Sequence, residues 1–493
     1  MPVIKELNIS PVIRSEGDLQ IRLWVRGGEV VRAHTQAVFF NGLEKLMAGK
    51  PPHAGLQMTP RICGVCGGSH LYSAAFALEN ACHIVPPSNA LIIRGLGQML
   101  ENLQSIPRWF YTQFAVDLVN EKYAENPVYE AVKNRFAPYI GAGFAPATKA
   151  AGIPIQVYGL LAGPWPGAGY MIPGGVVTHP GAEVLAQARV LMDDFRKNWL
   201  EAVWLGDTVE RYLSIDTWDG LLHWANTTQG DLPLFIRAAL AYGIDRYGGG
   251  AGRYLAFGAF LHPESYNNPA LSERNKALII PSGFFNGTSY SAFDPMQLQD
   301  NEAYTPGGKI PRFHGLSAEV GALARAIMQA NPQNASHQVR DPLFGDIMRT
   351  VGPSAFVRAL ARLHEMVRLV QLIDTWLDKI NPDAAFSQDA VLCDGIGFGA
   401  TEAARGALAH WMEIENGLVK RYRIMPPTVW NVGPLDETPK KGPIEAALLG
   451  LKIDHPANPV EVGHIVRSFD TCLVSIVQVL DDLTEQEISR FTF

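Results

Sequence analysis

Cys63 and Cys66 stand three residues apart in Arg61-Ile62-Cys63-Gly64-Val65-Cys66-Gly67-Gly68-Ser69-His70, and the 493-residue chain has only five cysteines in all. An odd, sparse set cannot form a disulfide framework, so a chain of this length has to be held together by apolar packing. The pair itself puts two thiolates within reach of one metal ion. From the residues alone it reads equally as half a zinc site, a redox dithiol, two buried cysteines, or ligands of another metal. No second complete pair exists to finish a zinc site, and the small α/β setting of a thioredoxin-like dithiol is missing.

The rest of the chain bounds what surrounds that pair. With 47% apolar and 18% charged residues it is a well-packed chain with a lean polar surface, of the kind that is buried against a partner. A net charge of −7 leaves no electrostatic footprint for nucleic acid. No apolar run is long enough for a membrane-spanning helix, so no direct transmembrane anchor is expected. The first residues carry Lys5 and Glu6 and lack an apolar signal core. The expected location is therefore cytoplasmic, or membrane-associated or exported through a partner chain.

Periodicity predicts a β-hairpin over residues 19–33 turning at Gly27-Gly28. Helical spacing runs through residues 87–120, with a kink at Pro107, and through 183–205 and 354–377. Gly- and Pro-rich stretches at 163–175 and 247–250 read as irregular loops threaded with apolar residues. The expected fold class is α+β, mainly helical, with a long-helix core and small β-rich peripheral parts, forming one intertwined unit over residues 1–493.

A second cysteine segment lies far downstream, Arg467-Ser468-Phe469-Asp470-Thr471-Cys472-Leu473-Val474-Ser475. Taken alone, its Cys-x-x-Ser says no more than a buried cysteine. Together the two segments resemble the N- and C-terminal metal motifs of [NiFe]-hydrogenase large subunits, Arg-x-Cys-Gly-x-Cys-x-x-x-His and Asp-Pro-Cys-x-x-Cys-x-x-His. Further blocks follow in family order: Arg14-Ser15-Glu16-Gly17, the segment from Phe40 to Leu46, Lys309-Ile310-Pro311-Arg312, the segment from Glu319 to Arg325, Glu402-Ala403-Ala404-Arg405-Gly406, and Pro427-Thr428-Val429-Trp430-Asn431.

The resemblance implies an oxidoreductase that oxidises H2 to protons and electrons at a nickel–iron centre carrying CO and CN ligands, with electrons passed to an iron–sulfur small subunit and possible further electron-transfer subunits. Cys63 and Cys472 correspond to terminal nickel ligands and Cys66 to a bridging one, soft donors that suit nickel. His70 corresponds to a residue that donates a hydrogen bond to the bridging sulfur. Arg405 corresponds to the arginine over the open metal position, whose fixed cation favours heterolysis of dihydrogen. Asp117 and Asp470 correspond to the carboxylates that hold it, and Glu16 to the first acceptor on the proton exit path. Glu44 corresponds to a ligand of a structural magnesium.

The chain departs from the pattern at several positions. Ser475 stands in the place of the second bridging cysteine, and its hydroxyl is a hard donor with a far higher pKa than a thiol. Gln478 stands in the place of the magnesium-binding histidine, Thr471 and Ala404 in those of prolines, and Trp109 in that of a histidine. Residues 479–493 form a C-terminal extension of the kind normally removed in the family. Two readings follow: a hydrogenase large subunit, or a hydrogenase-derived subunit with a degenerate metal site that serves as a redox or scaffold component or acts on another substrate.

Overall fold

The computed structural model describes residues 4–8, 18–37, 43–300, 310–332, 340–433, 441–453, 455, 458–471, 474–480 and 487–491, the strands at the two chain ends by their backbone alone. Strands Asp18–Arg26 and Glu29–Ala37 form the expected hairpin. Gly27 and Gly28 both take positive φ, 60° and 83°, which a two-residue turn matched to strand twist requires. The strand Asp18–Arg26 also pairs antiparallel with Ile4–Asn8 and parallel with Val474–Leu480, which in turn pairs antiparallel with Glu487–Phe491. The end of the chain thus zips onto its beginning. This register sets position 475 opposite Leu19 and position 478 opposite Arg22.

The helical core is built around Ser88–Trp109, buried on nearly every face, with Phe144–Ala162 and Ala355–Leu377 packed against it. The last of these starts where its spacing predicts, because the Ser354 hydroxyl caps the Val357 N–H. Residues 87–120 do not form one kinked helix. The α-helix runs through Pro107 to Trp109, widens to a π-turn at Phe110–Phe114, and tightens to a 3-10 turn at Ala115–Val119. A proline supplies no N–H, so the ladder is broken there and the backbone re-registers just beyond it. Residues 183–205 behave similarly, with Ala182–Asp194 α-helical and Phe195–Leu205 a π-helix that stops at Gly206 in left-handed conformation.

Two further elements position the site. The helix Gly67–Ala81, here the motif helix, begins immediately after Cys66. Across it lies the strand Gly395–Ala403, paired with Gly406–Glu415, which pairs with Leu418–Met425. Strand and helix approach more closely than side chains allow, since a Cβ on Gly397 would overlap the Ala77 carbonyl oxygen. Distant sequence blocks are cross-braced by polar groups. The Asn431 amide accepts from Val320 N–H and donates to Val320 O, both at 3.0 Å. Arg358 makes a two-pronged pair with Glu319 at 2.7 and 2.9 Å. Arg325 binds Glu402 at 2.8 Å and Glu365 at 2.5 and 2.6 Å. Such buried charges are tolerated only when paired and hydrogen-bonded, so the braces define how the blocks must dock.

Candidate metal centre

The cysteine loop is built by a tight turn at Thr59–Arg61 followed by the start of the motif helix. Cys66 is buried and packs against Ala403 and Leu408, and Cys63, partly exposed, packs against the same cluster. The Cys63 Sγ accepts the Val65 N–H at 3.3 Å. Cys66 is the N-cap residue of the motif helix, and Cys63 precedes it by one turn of chain.

The helix start is held by a residue that pattern reading did not single out. Glu101 projects from Ser88–Trp109 and accepts from Ser69 N–H at 2.8 Å, Ser69 Oγ at 2.6 Å, Gly68 N–H at 2.8 Å and Trp165 Nε1 at 3.2 Å. Burial pushes its carboxyl above the usual range, while these four donors work in the opposite direction. Its signal in the sequence is only a lone acid within a mostly apolar helix.

One turn beyond Cys66, His70 lies fully buried, and desolvation lowers its pKa to about 4, so the ring stays neutral. Its Nδ1 is hydrogen-bonded to His410 Nε2 at 3.0 Å, and His410 Nδ1 to the Tyr422 hydroxyl at 2.8 Å. The Tyr422 hydroxyl is pushed up by burial and by the negative charge of Glu44. Glu44, on the short helix Leu43–Met47, accepts the Ile424 N–H at 2.5 Å. A polar chain thus leads from the cysteine loop to the Glu44 neighbourhood.

Arg405 sits in the two-residue turn between Gly395–Ala403 and Gly406–Glu415, beside the Ala403 and Leu408 that cover Cys66. The turn is clamped from behind: the Ala404 carbonyl accepts from Arg362 at 3.0 Å and from Arg325 at 3.3 Å, and the Ala403 carbonyl from Arg325 at 3.1 Å. Asp470 pairs with Arg405 at 3.3 Å and with Arg362 at 2.8 Å. It follows the helix Val460–Ser468 and takes a positive φ of 48°, which aspartate tolerates better than most residues. Asp117, on the 3-10 turn, is ion-paired with Arg467 of that same helix. Trp109 donates from Nε1 to the Arg467 carbonyl at 3.0 Å, and its ring lies 5.0 Å from the Arg362 guanidinium carbon. Tryptophan at this position therefore packs and braces rather than titrates.

Glu16 and Cys472 lie outside the described residues, and Ser475 and Gln478 are placed only by backbone register. Among the described residues, no cluster of three or more His, Cys, Asp or Glu side chains could hold a metal. The expected ligand set includes Cys472 and is not contained in them.

A family model described as nickel-dependent hydrogenase matches residues 41–133 and 285–477, the two stretches that carry both cysteine segments and the arginine turn. The chain belongs to that family. It is 27% identical to the periplasmic [NiFeSe] hydrogenase large subunit of Desulfomicrobium baculatum, over 98% of this chain and 96% of that one. It is 25% identical to the hydrogenase-2 large chain of Escherichia coli, over 97% of this chain and 98% of that one. The Ni-Fe-Se hydrogenase of D. vulgaris Hildenborough superposes with a TM-score of 0.77 at 24% identity, covering 95% of this chain and 98% of that chain. Matching whole large subunits end to end favours the hydrogenase reading over the degenerate one. No helix among the described residues is long and apolar enough to cross a membrane.

Proposed function

We propose that this chain is the catalytic subunit of a [NiFe]-type hydrogenase that oxidises H2 and passes electrons to an iron–sulfur small subunit. The observation that carries the reading is the cysteine pair at a helix N-terminus, Cys66 buried and Cys63 partly exposed, with the Arg405–Asp470 ion pair beside it. The donors fit a soft, redox-active metal: two thiols, with a neutral histidine one turn on. Cys63, Cys66 and Cys472 would hold a nickel–iron centre carrying CO and CN. When bound, such a centre supplies the metal at which dihydrogen is split.

The chain's own residues do the rest. Asp470 holds the Arg405 guanidinium in place, so that its charge needs no reorganisation during reaction. The Ala403–Leu408 cluster excludes water from Cys66. His70 would orient the Cys66 sulfur, and Glu16 would take the proton from the cysteine sulfur. Glu44 and Gln478 would hold magnesium through carboxylate and amide oxygens. The chain acts as one unit, with residues 479–493 as its extension, and reaches its compartment with its partner.

The test is purification after co-expression with the small subunit and maturation proteins. Bound nickel and iron, infrared bands of CO and CN, and H2-dependent dye reduction are the expected result. Ser475, a hard donor in one of four thiolate places, should retain less nickel than Ser475→Cys. A metal-free chain with no H2-dependent dye reduction from either version would overturn the proposal.

A further inference from the structure

The two cysteines that the metal reading leaves unused, Cys82 and Cys393, are 311 residues apart in sequence and adjacent in space. Cys82 follows the last residue of the motif helix, and Cys393 precedes the strand Gly395–Ala403 that crosses it. The close helix–strand approach described above brings them together. The Cys393 N–H donates to Cys82 Sγ at 3.0 Å, and the Cys82 thiol donates to the Cys393 carbonyl at 3.2 Å. The Cys393 thiol donates in turn to the carbonyl of Ala81, the residue before Cys82, at 3.7 Å. Cys82 is partly exposed and Cys393 exposed, so the pair is open to solvent. Burial, with the neighbouring Cys393 and Asp394, pushes the Cys82 thiol up to about 11. Cys393, the more exposed, is therefore the sulfur that meets an incoming reagent first.

We infer that Cys82 and Cys393 form a reversible dithiol–disulfide pair, closed by exchange with a small-molecule disulfide such as oxidised glutathione. The Cys393 thiolate attacks the reagent's S–S bond and releases one thiol, leaving a mixed disulfide. The Cys82 thiolate then attacks Cys393 Sγ and releases the second thiol. Two electrons pass from the protein to the reagent, and the two protein thiol protons go to the two released thiols. The closed bond staples the end of the motif helix to the start of the strand. These are the elements that carry Cys66 at the helix's other end and Arg405 just past the strand's other end. This assignment does not depend on whether nickel is bound.

The full-length chain is incubated natively with oxidised glutathione, quenched in acid, alkylated under denaturing conditions and mapped by mass spectrometry. Of the five thiols, two are lost, in a linked peptide pair joining Cys82 to Cys393, and dithiothreitol restores both. In Cys82→Ser the reaction stops at glutathione attached to Cys393. Glutathione carried separately on both cysteines of the wild type, a link joining only Cys63 to Cys66, or no thiol loss would each overturn the inference.

Discussion

Glu101→Gln isolates what holds the cysteine loop in place. The carboxylate Oε1 takes Ser69 N–H and Oγ, and Oε2 takes Gly68 N–H and Trp165 Nε1. Glutamine keeps the volume and one acceptor, but turns the other end into a donor facing two donors. Leaving a buried donor unsatisfied costs about 1–3 kcal/mol, and removing a negative charge at a helix N-terminus adds about 0.3–1 kcal/mol. The variant should therefore weaken the first turn of the motif helix by about 3 kcal/mol. Relief of the carboxylate's own burial penalty acts the other way and keeps the figure from being larger. The assay is amide hydrogen exchange over residues 67–72, with Glu413→Gln on the exposed hairpin as control. At 1.4 kcal/mol per decade, exchange there should accelerate about a hundredfold. Acceleration of less than about threefold, or an equal change in the control, would refute the claim that Glu101 anchors the loop.

Asp470→Asn keeps a residue that tolerates the positive φ but removes the charge shared by Arg362 and Arg405. It should cost about 3–5 kcal/mol in urea unfolding, and an unchanged midpoint would count against the pairing. Gly397→Ala forces a methyl into the Ala77 carbonyl and should lower the thermal midpoint by an overpacking cost of about 3 kcal/mol, whereas Gly152→Ala, whose Cβ meets open space, should not lower it. His464 is buried with its pKa lowered from 6.5 to about 3. Between those values the unfolded chain binds more protons than the folded one, so stability falls as pH drops through the window. His464→Gln should flatten that acid limb of the urea midpoint against pH, and an equally steep limb would exclude His464 as its source.

Sequence alone determined the features that depend on neighbours along the chain. The Gly27-Gly28 turn, the Ser354-capped helix and the cysteine loop before the motif helix are all encoded within a few residues, where turn chemistry, capping and periodicity act. The order of the motif blocks carried the family. What only the tertiary structure decided lies between residues hundreds apart. Glu101 became the anchor of the cysteine loop because one long helix crosses the start of another. His410 became the partner of His70, with Tyr422 behind it, because a β-hairpin packs there. Asp117 met Arg467 because the chain beyond Pro107 re-registers through a π-turn and a 3-10 turn before reaching it. The physical reason is the same in each case. Local propensity is set by a residue's own backbone and nearest neighbours, whereas a buried polar group is paired with whatever the packed elements bring against it, and that partner is chosen only when the core closes.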